Sequence, residues 1–191
     1  MCELKSFHLW LLQVLALLGI LAFLLWFIMR PKNPTYTVVD FTIPTSNTTI
    51  VSVIDQGNQN SIISYSLDIE NPNKDASIYY DDIILTFLFG QDTVGERTIP
   101  SFHQGKGSTH HHVDGFNTNP RVWKALLNAV SNATAELKVG LVTKFRYRML
   151  GHKSKHHEVN VQAPLPIGPD GKISGKKKLG KHSKKWRTRV T

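Results

Sequence analysis

The feature that most constrains this chain is an apolar run near its N-terminus. Residues 9–29 are apolar except for Gln13 and Gly19. A helix of about 20 such residues spans the hydrocarbon core of a bilayer. A cleaved signal peptide has a shorter apolar region, and no small-residue cleavage site follows this one. We therefore predict one uncleaved transmembrane helix, a signal-anchor, over residues 9–29, after a short segment of residues 1–8.

Positive charge is concentrated at the other end of the chain. The formal net charge is +9, yet all 14 acidic residues lie at or before Asp170, where they balance the basic residues of the same region. The body of the chain is therefore close to neutral, and nucleic acid is not an expected partner. Residues 169–191 are interpreted as a basic, disordered tail, either a plain solubilising segment or an anion-binding one. The candidate anion-binding residues are Lys176, Lys177, Lys178, Lys181, Lys184, Lys185, Arg187 and Arg189.

Orientation in the membrane is weakly encoded. Lys5 on one side of the apolar run is set against Arg30 and Lys32 on the other, which is close to a tie under the positive-inside rule. Asn47 and Asn132 begin sequons that would suit a lumenal, glycosylated domain. The chain has a single cysteine, Cys2, so no intramolecular disulfide can form. Cys2 lies before the apolar run, where the sequence is compatible with S-palmitoylation and with an unmodified thiol.

Beyond residue 36 the dominant sequence period is two. Apolar and polar residues alternate over 63–70 and 136–149, which is typical of strands with one buried face. The second stretch predicts one long strand or two joined near Gly140, and its outward basic residues are interpreted as a solvated face. The run 83–89 is apolar on both parities, which predicts a central strand or one covered on both faces. Shorter strands are predicted at 36–43, 49–54, 109–113 and 159–163.

One helix interrupts the strands. Asn119 can cap it and Pro120 suits its first position, while an apolar stripe predicts packing against a sheet edge or one end of the fold. The stripe consists of Val122, Trp123, Leu126, Leu127 and Val130. We therefore predict an all-β fold, an immunoglobulin- or fibronectin III-like antiparallel β-sandwich with one helix. It occupies residues 36–168 and follows a linker of residues 30–35.

Motifs for chemistry are sparse. In a strand, His110 and His112 of the triplet His110-His111-His112 share a face and could approach one metal ion, but local sequence supplies no third ligand. The sequence contains no nucleophile elbow, zinc-protease motif, Walker loop or dinucleotide fingerprint. We therefore expect a protein that is not an enzyme, with no catalytic residues, no cofactor and no metal site.

Three ordered segments carry a family resemblance. They are Asn71-Pro72-Asn73-Lys74 with Ile78-Tyr79-Tyr80-Asp81, then 100–106, and then 145–161 with Phe145-Arg146-Tyr147-Arg148 and Val159-Asn160-Val161. Together they resemble the plant late embryogenesis abundant group 2 family, in its membrane-anchored harpin-induced and non-race-specific disease resistance branch. The matching motif positions are Asn71, Pro72, Asn73, Tyr80, Asp81, Pro100, Phe102, Gln104 and Gly105. Asparagine, proline and glycine are the residues that tight turns require, so we interpret these positions as determinants of the fold and not as a ligand-binding site.

The resemblance implies a single-pass plasma-membrane protein whose β-sandwich faces the outside. It implies a role in plant defence, stress signalling or adhesion, with cell-wall polysaccharide or other membrane proteins as partners besides the lipid bilayer. An alternative from another class is a dehydration protectant of membranes or proteins that has no specific partner. The oligomeric state does not follow from the resemblance.

Overall fold

The structure is a computed structural model that describes residues 2–28, 30–45, 62–149 and 151–181. Asn47, the predicted strand at 49–54 and the tail residues Lys184, Lys185, Arg187 and Arg189 lie outside the described residues. The chain divides into two compact units, with the boundary between Lys32 and Asn33.

The N-terminal unit is a single helix, α1, over Cys2–Ile28. Within it, Phe7–Phe27 has a mean hydropathy of 2.4. No other helix among the described residues is long and apolar enough to cross a membrane. Its large apolar side chains, such as Leu9 and Trp26, are exposed in this unit. An all-apolar helical surface of this length is typical of a segment that faces lipid, so the helix agrees with the predicted anchor.

The C-terminal unit consists of two antiparallel sheets and one helix, which confirms the predicted all-β sandwich. The elements are β1 Thr35–Thr42, β2 Ile62–Glu70, β3 Ser77–Tyr80, β4 Ile83–Phe89, β5 Asp92–Ile99, β6 Phe102–Gln104, β7 Thr109–Asn117, α2 Pro120–Ser131, β8 Glu136–Met149, β9 His152–Lys153, β10 His157–Pro166, β11 Lys177–Lys178 and β12 Gly180–Lys181. The first sheet has the strand order β11-β1-β2-β7. The second sheet is built on the order β12-β10-β8-β3-β6, with β4 and β9 paired to β8 and β5 paired to β4.

Strand β8 organises the second sheet. It is one strand of 14 residues, so the alternative of two strands joined near Gly140 is wrong. One edge of β8 pairs with β10, and the other pairs first with β4 and then with β3. Alternate side chains from Leu137 to Tyr147 point into the core, because successive residues of a strand face opposite sides.

A cluster of four aromatic side chains fills the centre of the sandwich. Phe87 lies 5.4 Å from Phe41, 5.1 Å from Tyr65 and 4.9 Å from Phe116, measured between ring centroids. All four side chains are at most 3% exposed. Burial of one such ring stabilises the fold by roughly 1.5–3 kcal/mol, so this cluster joins the two sheets through β1, β2, β4 and β7.

Helix α2 has the predicted cap and the predicted buried face. The side chain of Asn119 accepts a hydrogen bond from the Arg121 amide at 3.0 Å, and Pro120 occupies the first turn. Leu126 and Val130 are fully buried, and the helix contacts β5, which is an edge strand. The sequence-based prediction of a helix against a sheet edge is therefore confirmed.

The loop after α2 contains a backbone conformation that favours glycine. Ala133 has φ of 52°, and it is the one residue other than glycine with positive φ among the described residues. Replacing Ala133 with Gly is expected to raise the free energy of unfolding by about 0.5–1 kcal/mol, because the left-handed conformation strains a Cβ atom. Ala125→Gly, at an exposed site inside α2, should instead lower it by about 1 kcal/mol. Urea denaturation of residues 33–191 checks both changes, and equal effects of the two substitutions would contradict the explanation.

The structure corrects both predicted boundaries of the domain. Strand β1 already begins at Thr35, inside the predicted linker. At the other end the domain does not stop at residue 168, because β11 pairs with β1 and β12 pairs with β10. Leu179 is buried between these short strands. Apolar residues are too widely spaced among the glycines and lysines of this segment to give a strand period.

One predicted strand is longer than expected, and another is confirmed as central. The predicted strand at 159–163 becomes β10 over His157–Pro166, so Pro164 and Pro166 lie in the strand and pair with β8. Proline is tolerated in a strand where its nitrogen faces away from the paired neighbour. Strand β4 is paired on both edges as predicted, yet it is covered on one face alone, because Ile84 is 40% exposed on the other.

Candidate functional site

The most tightly organised polar site surrounds Asn71, which is fully buried. Its side-chain amide donates to the carbonyl oxygens of Ala76 at 2.9 Å and Gly105 at 2.8 Å. Its carbonyl oxygen accepts hydrogen bonds from the backbone N–H of Asn73 at 3.0 Å and from the Asn73 side chain at 2.9 Å. One asparagine therefore joins the end of β2, the start of β3 and the loop after β6.

Gln104 extends this network from the neighbouring strand. Its side-chain amide donates to the Ile69 carbonyl at 2.7 Å and to the Ser108 carbonyl at 2.8 Å. Buried carbonyl groups need such donors, and both acceptors belong to the ends of β2 and β7. Asn71, Asn73, Gln104 and Gly105 thus form one junction, whose hydrogen bonds hold backbone segments together.

The remaining motif positions lie in or beside the loop after β2 and strands β3 and β6. Tyr80 is buried and its ring stacks on Phe102 at 4.8 Å, while the Asp81 amide donates to the Lys144 carbonyl at 2.8 Å. Burial raises the pKa of the Tyr80 hydroxyl above its ordinary range. Pro72 is half-buried and Pro100 is exposed at the turn before β6. These contacts describe a packing role, in line with the interpretation of the motif as a set of fold determinants.

The histidine triplet lies on β7, an edge strand of the first sheet. His110 and His112 share the inner face, as predicted, with their ring centroids 6.4 Å apart. His111 faces the other way and contacts the Asp68 carboxylate at 2.6 Å. The described residues contain no group of three or more metal-ligating side chains. Polar residues on the inner face of an edge strand disfavour pairing with another chain.

The position of His110 predicts a pH effect on stability. Burial, and then the neighbouring His112 and His111, lower the pKa of His110. A lowered pKa means that the unfolded chain binds more protons, so this contribution is complete above the ordinary pKa of about 6.5 and is lost as pH falls below it. His110→Phe keeps the stacking on Phe102 and should reduce the loss of melting temperature between pH 7.5 and 5.5. His152→Gln, at an exposed site, is the matched control, and an equal reduction in that variant would contradict the assignment.

One predicted glycosylation site can be placed. Asn132 is exposed at the C-terminal cap of α2, so its side-chain amide is accessible. Asn47 and the Cys2 side chain are not described.

The predicted anion-binding tail is partly folded onto the domain. Lys177 and Lys178 form β11, and Lys176 directly precedes them. Lys181 lies in β12, and its side chain is not described. Lys178 lines a groove of about 500 Å³ at the edges of β1 and β10, together with Asn33, Tyr36, His157 and Glu158.

Asn33 of the groove lining is held by a hydrogen bond from a residue outside that lining. The Tyr147 hydroxyl donates to Asn33 Oδ1 at 3.2 Å, and burial raises the pKa of Tyr147 to about 12. Glu158 in the wall contacts Lys144 at 3.0 Å. The groove therefore offers polar and charged contacts for a ligand.

The outer face of the second sheet carries basic residues of β8, which the sequence pattern predicts to be a solvated face, beside residues of three other strands. Arg146 and Arg148 of β8 lie beside Tyr79 of β3, and His103 and Lys153 lie next to Tyr79 from β6 and β9. We call these five residues the Tyr79 patch. The alternation of basic residues in β8 was visible in the sequence, but the strands that flank it were not.

Comparison with known proteins adds family information to this geometry. The chain is 29% identical over 171 residues to Protein NDR1 of Arabidopsis thaliana, which covers 83% of this chain and 74% of that protein. It is 32% identical over 110 residues to NDR1/HIN1-like protein 3 of Arabidopsis thaliana, which covers 52% of this chain and 41% of that protein. A solution structure described as a late embryogenesis abundant protein aligns with 71% of this chain at 13% identity, and its TM-score of 0.38 is too low to support the fold assignment.

The family model described as late embryogenesis abundant protein matches residues 66–163, slightly more than half of the chain. That range begins in β2 and ends in β10, so it includes the Asn71 junction and the whole of β8. The resemblance seen in the sequence is confirmed, and the chain belongs to the late embryogenesis abundant protein family.

Proposed function

We propose that this chain is a non-enzymatic plasma-membrane protein that acts in plant defence through its β-sandwich. The observation that carries the proposal is the combination of one apolar helix, Phe7–Phe27, with similarity to Protein NDR1 over 83% of the chain. The sandwich supports an interaction role, because its polar groove and basic outer face are surfaces for contact.

Membrane anchoring is tested on the full chain expressed in plant cells. We expect the protein to stay in the membrane pellet after washing with alkaline carbonate, because an apolar helix of this length is stable in the hydrocarbon core. Release into the supernatant would contradict the anchor. A variant that carries Leu15→Arg and Leu18→Arg within the span should be released, which controls for aggregation.

An extracellular domain is tested at Asn132. If the domain crosses into the secretory lumen, the exposed Asn132 sequon is expected to receive a glycan, which adds mass that endoglycosidase removes. Asn132→Gln should reduce this mass shift by one glycan, while Asn128→Gln, an exposed change outside any sequon, should leave it unchanged. Protease protection of the domain in sealed plasma-membrane vesicles reports the same orientation without a glycan, and digestion only in inside-out vesicles would contradict it.

The defence role is separated from the dehydration alternative by a plant that lacks the chain. We expect greater bacterial growth after infection and ordinary survival of drying. The opposite pair of results would favour a protectant. Complementation with the chain that lacks residues 1–32 should fail in the infection assay, because the domain would no longer be held at the membrane.

A further inference from the structure

We propose that the Tyr79 patch is a binding site for carboxylate-bearing polysaccharide. The inference rests on the proposed interaction role and names a surface and a chemical class of partner for it. Pairing in the second sheet brings the patch together: Tyr79 is opposite Arg146 on β8 and opposite His103 on β6. Arg148 is opposite Lys153 on β9. Paired residues of antiparallel strands share a face, and the residues on either side of Tyr79 are buried, so the patch faces outward.

The contacts within the patch orient its cations around one aromatic ring. Arg148 Nη1 donates to the Tyr79 hydroxyl at 3.0 Å. Lys153 Nζ lies 4.4 Å from the centroid of the Tyr79 ring, and the His103 ring lies 4.3 Å from the same ring. Positioned side chains lose less conformational freedom when a ligand binds. The patch is therefore a fixed arrangement of donors and not a set of independent surface charges.

The patch lacks compensating negative charge. The ion pairs of the described residues join Arg97 to Asp114, His111 to Asp68, Lys144 to Glu158 and His156 to Asp81. None of them includes Arg146, Arg148 or Lys153. Arg148 and Lys153 lie directly opposite each other on neighbouring strands. Like charges in this position destabilise a sheet. An anion bound at the patch would offset this cost.

The geometry favours a linear chain of carboxylates over a single small anion. Arg146 and Arg148 are two residues apart on one strand, so their Cα atoms are separated by about 7 Å along a flat face. Two guanidinium groups bind planar carboxylates through paired N–H donors, which lysine cannot do. The exposed edges of Tyr79 and His103 add an aromatic surface beside them. A polyuronate, with one carboxylate on every sugar, presents this chemistry at regular intervals.

The test uses the full chain in nanodiscs of phosphatidylcholine, with polygalacturonate as the probe. We expect salt-sensitive binding that Arg146→Gln/Arg148→Gln weakens at least tenfold. The matched control is Lys124→Gln/Lys138→Gln, which removes the same charge from exposed sites outside the patch and should bind like the unchanged chain. Both double variants keep the basic tail, so its contribution is common to them. Thermal unfolding of each variant verifies that the fold is intact.

Four results would overturn the inference. The first is equal affinity of the two double variants. The second is equal binding of fully methyl-esterified polygalacturonate, which lacks the carboxylates. The third is tighter, patch-dependent binding of phosphatidylserine vesicles, which would assign the patch to a membrane surface. The fourth is an Arg148→Lys variant that binds polygalacturonate as tightly as the unchanged chain, because lysine cannot donate a pair of N–H groups to one carboxylate. None of these results affects the membrane-pelleting and infection tests, so the proposed function stands or fails separately.

Discussion

Replacing Asn71 with Asp is expected to lower the free energy of unfolding of residues 33–191 by about 3–5 kcal/mol. The two side chains have the same shape, but the carboxylate cannot donate to the carbonyl oxygens of Ala76 and Gly105, which lie within 2.9 Å of the amide nitrogen. It also places negative charge at a site with no solvent access. For a domain of this size the change corresponds to a fall in melting temperature of roughly 6–20 °C.

The control for this prediction is Asn117→Asp, which introduces the same carboxylate at an exposed position of β7. That variant should unfold within about 0.5 kcal/mol of the unchanged domain. Urea denaturation followed by circular dichroism measures both. If Asn71→Asp proved as stable as the control while defence signalling was lost, the motif would have to act through a partner and not through the fold.

A substitution at Gly95 is expected to have the second large effect. Gly95 lies on β5 where the ring of Phe116 packs directly against the backbone, and a Cβ atom added there would overlap the ring carbons. Gly95→Ala must therefore displace Phe116 from its stack on Phe87. We expect a loss of about 2–4 kcal/mol, since overpacking of a dense core forces neighbouring side chains out of their preferred positions.

Gly140→Ala is the matched control for steric overlap. It adds the same methyl group on β8, where the nearest atoms would be 3.9 Å away. This change should be close to neutral. The double variant Gly95→Ala/Phe116→Leu should recover part of the loss, because the smaller side chain leaves room for the methyl group. Additive effects of the two single substitutions would show that the overlap with Phe116 is not the cause.

The parts of the fold that could be predicted are those specified by neighbouring residues. The alternation of apolar residues from Leu137 to Tyr147 gives the buried face of β8 directly. Asn119 and Pro120 give the start of α2 for a similar reason, because a cap and its helix are adjacent in the chain. In both cases the physical cause lies within about four residues of the feature.

The parts that could not be predicted depend on partners far along the chain. By local criteria Pro164 and Pro166 favour a turn. They fit a strand because β12 pairs with β10 at Val161 and Gln162, so the prolines lie beyond this pairing and have a neighbour on the β8 side alone. Leu179 has no apolar neighbour at strand spacing, so only its burial against β1 and β10 reveals that the domain continues.

The same distinction applies to the candidate sites. Turn chemistry pointed to Asn71 as a determinant of the fold, but its acceptor on Gly105 is 34 residues away and cannot be inferred locally. The Tyr79 patch needs four strands in register before its cations converge. Gly151, with φ of 82°, marks the hairpin that returns Lys153 to Arg148, and this turn is a local signal in addition to the alternation of basic residues in β8.

The short pairing of β11 with β1 has a mechanical consequence. The register places Thr37 opposite Lys178 and Val38 opposite Lys177, so the chain enters and leaves the sandwich at the same end of neighbouring strands. Tension between the two termini would separate this pair by unzipping, in which hydrogen bonds break one after another instead of sharing the load. A pull on the C-terminus would release β12 from β10 and then β11 from β1, while the aromatic cluster around Phe87 stayed closed.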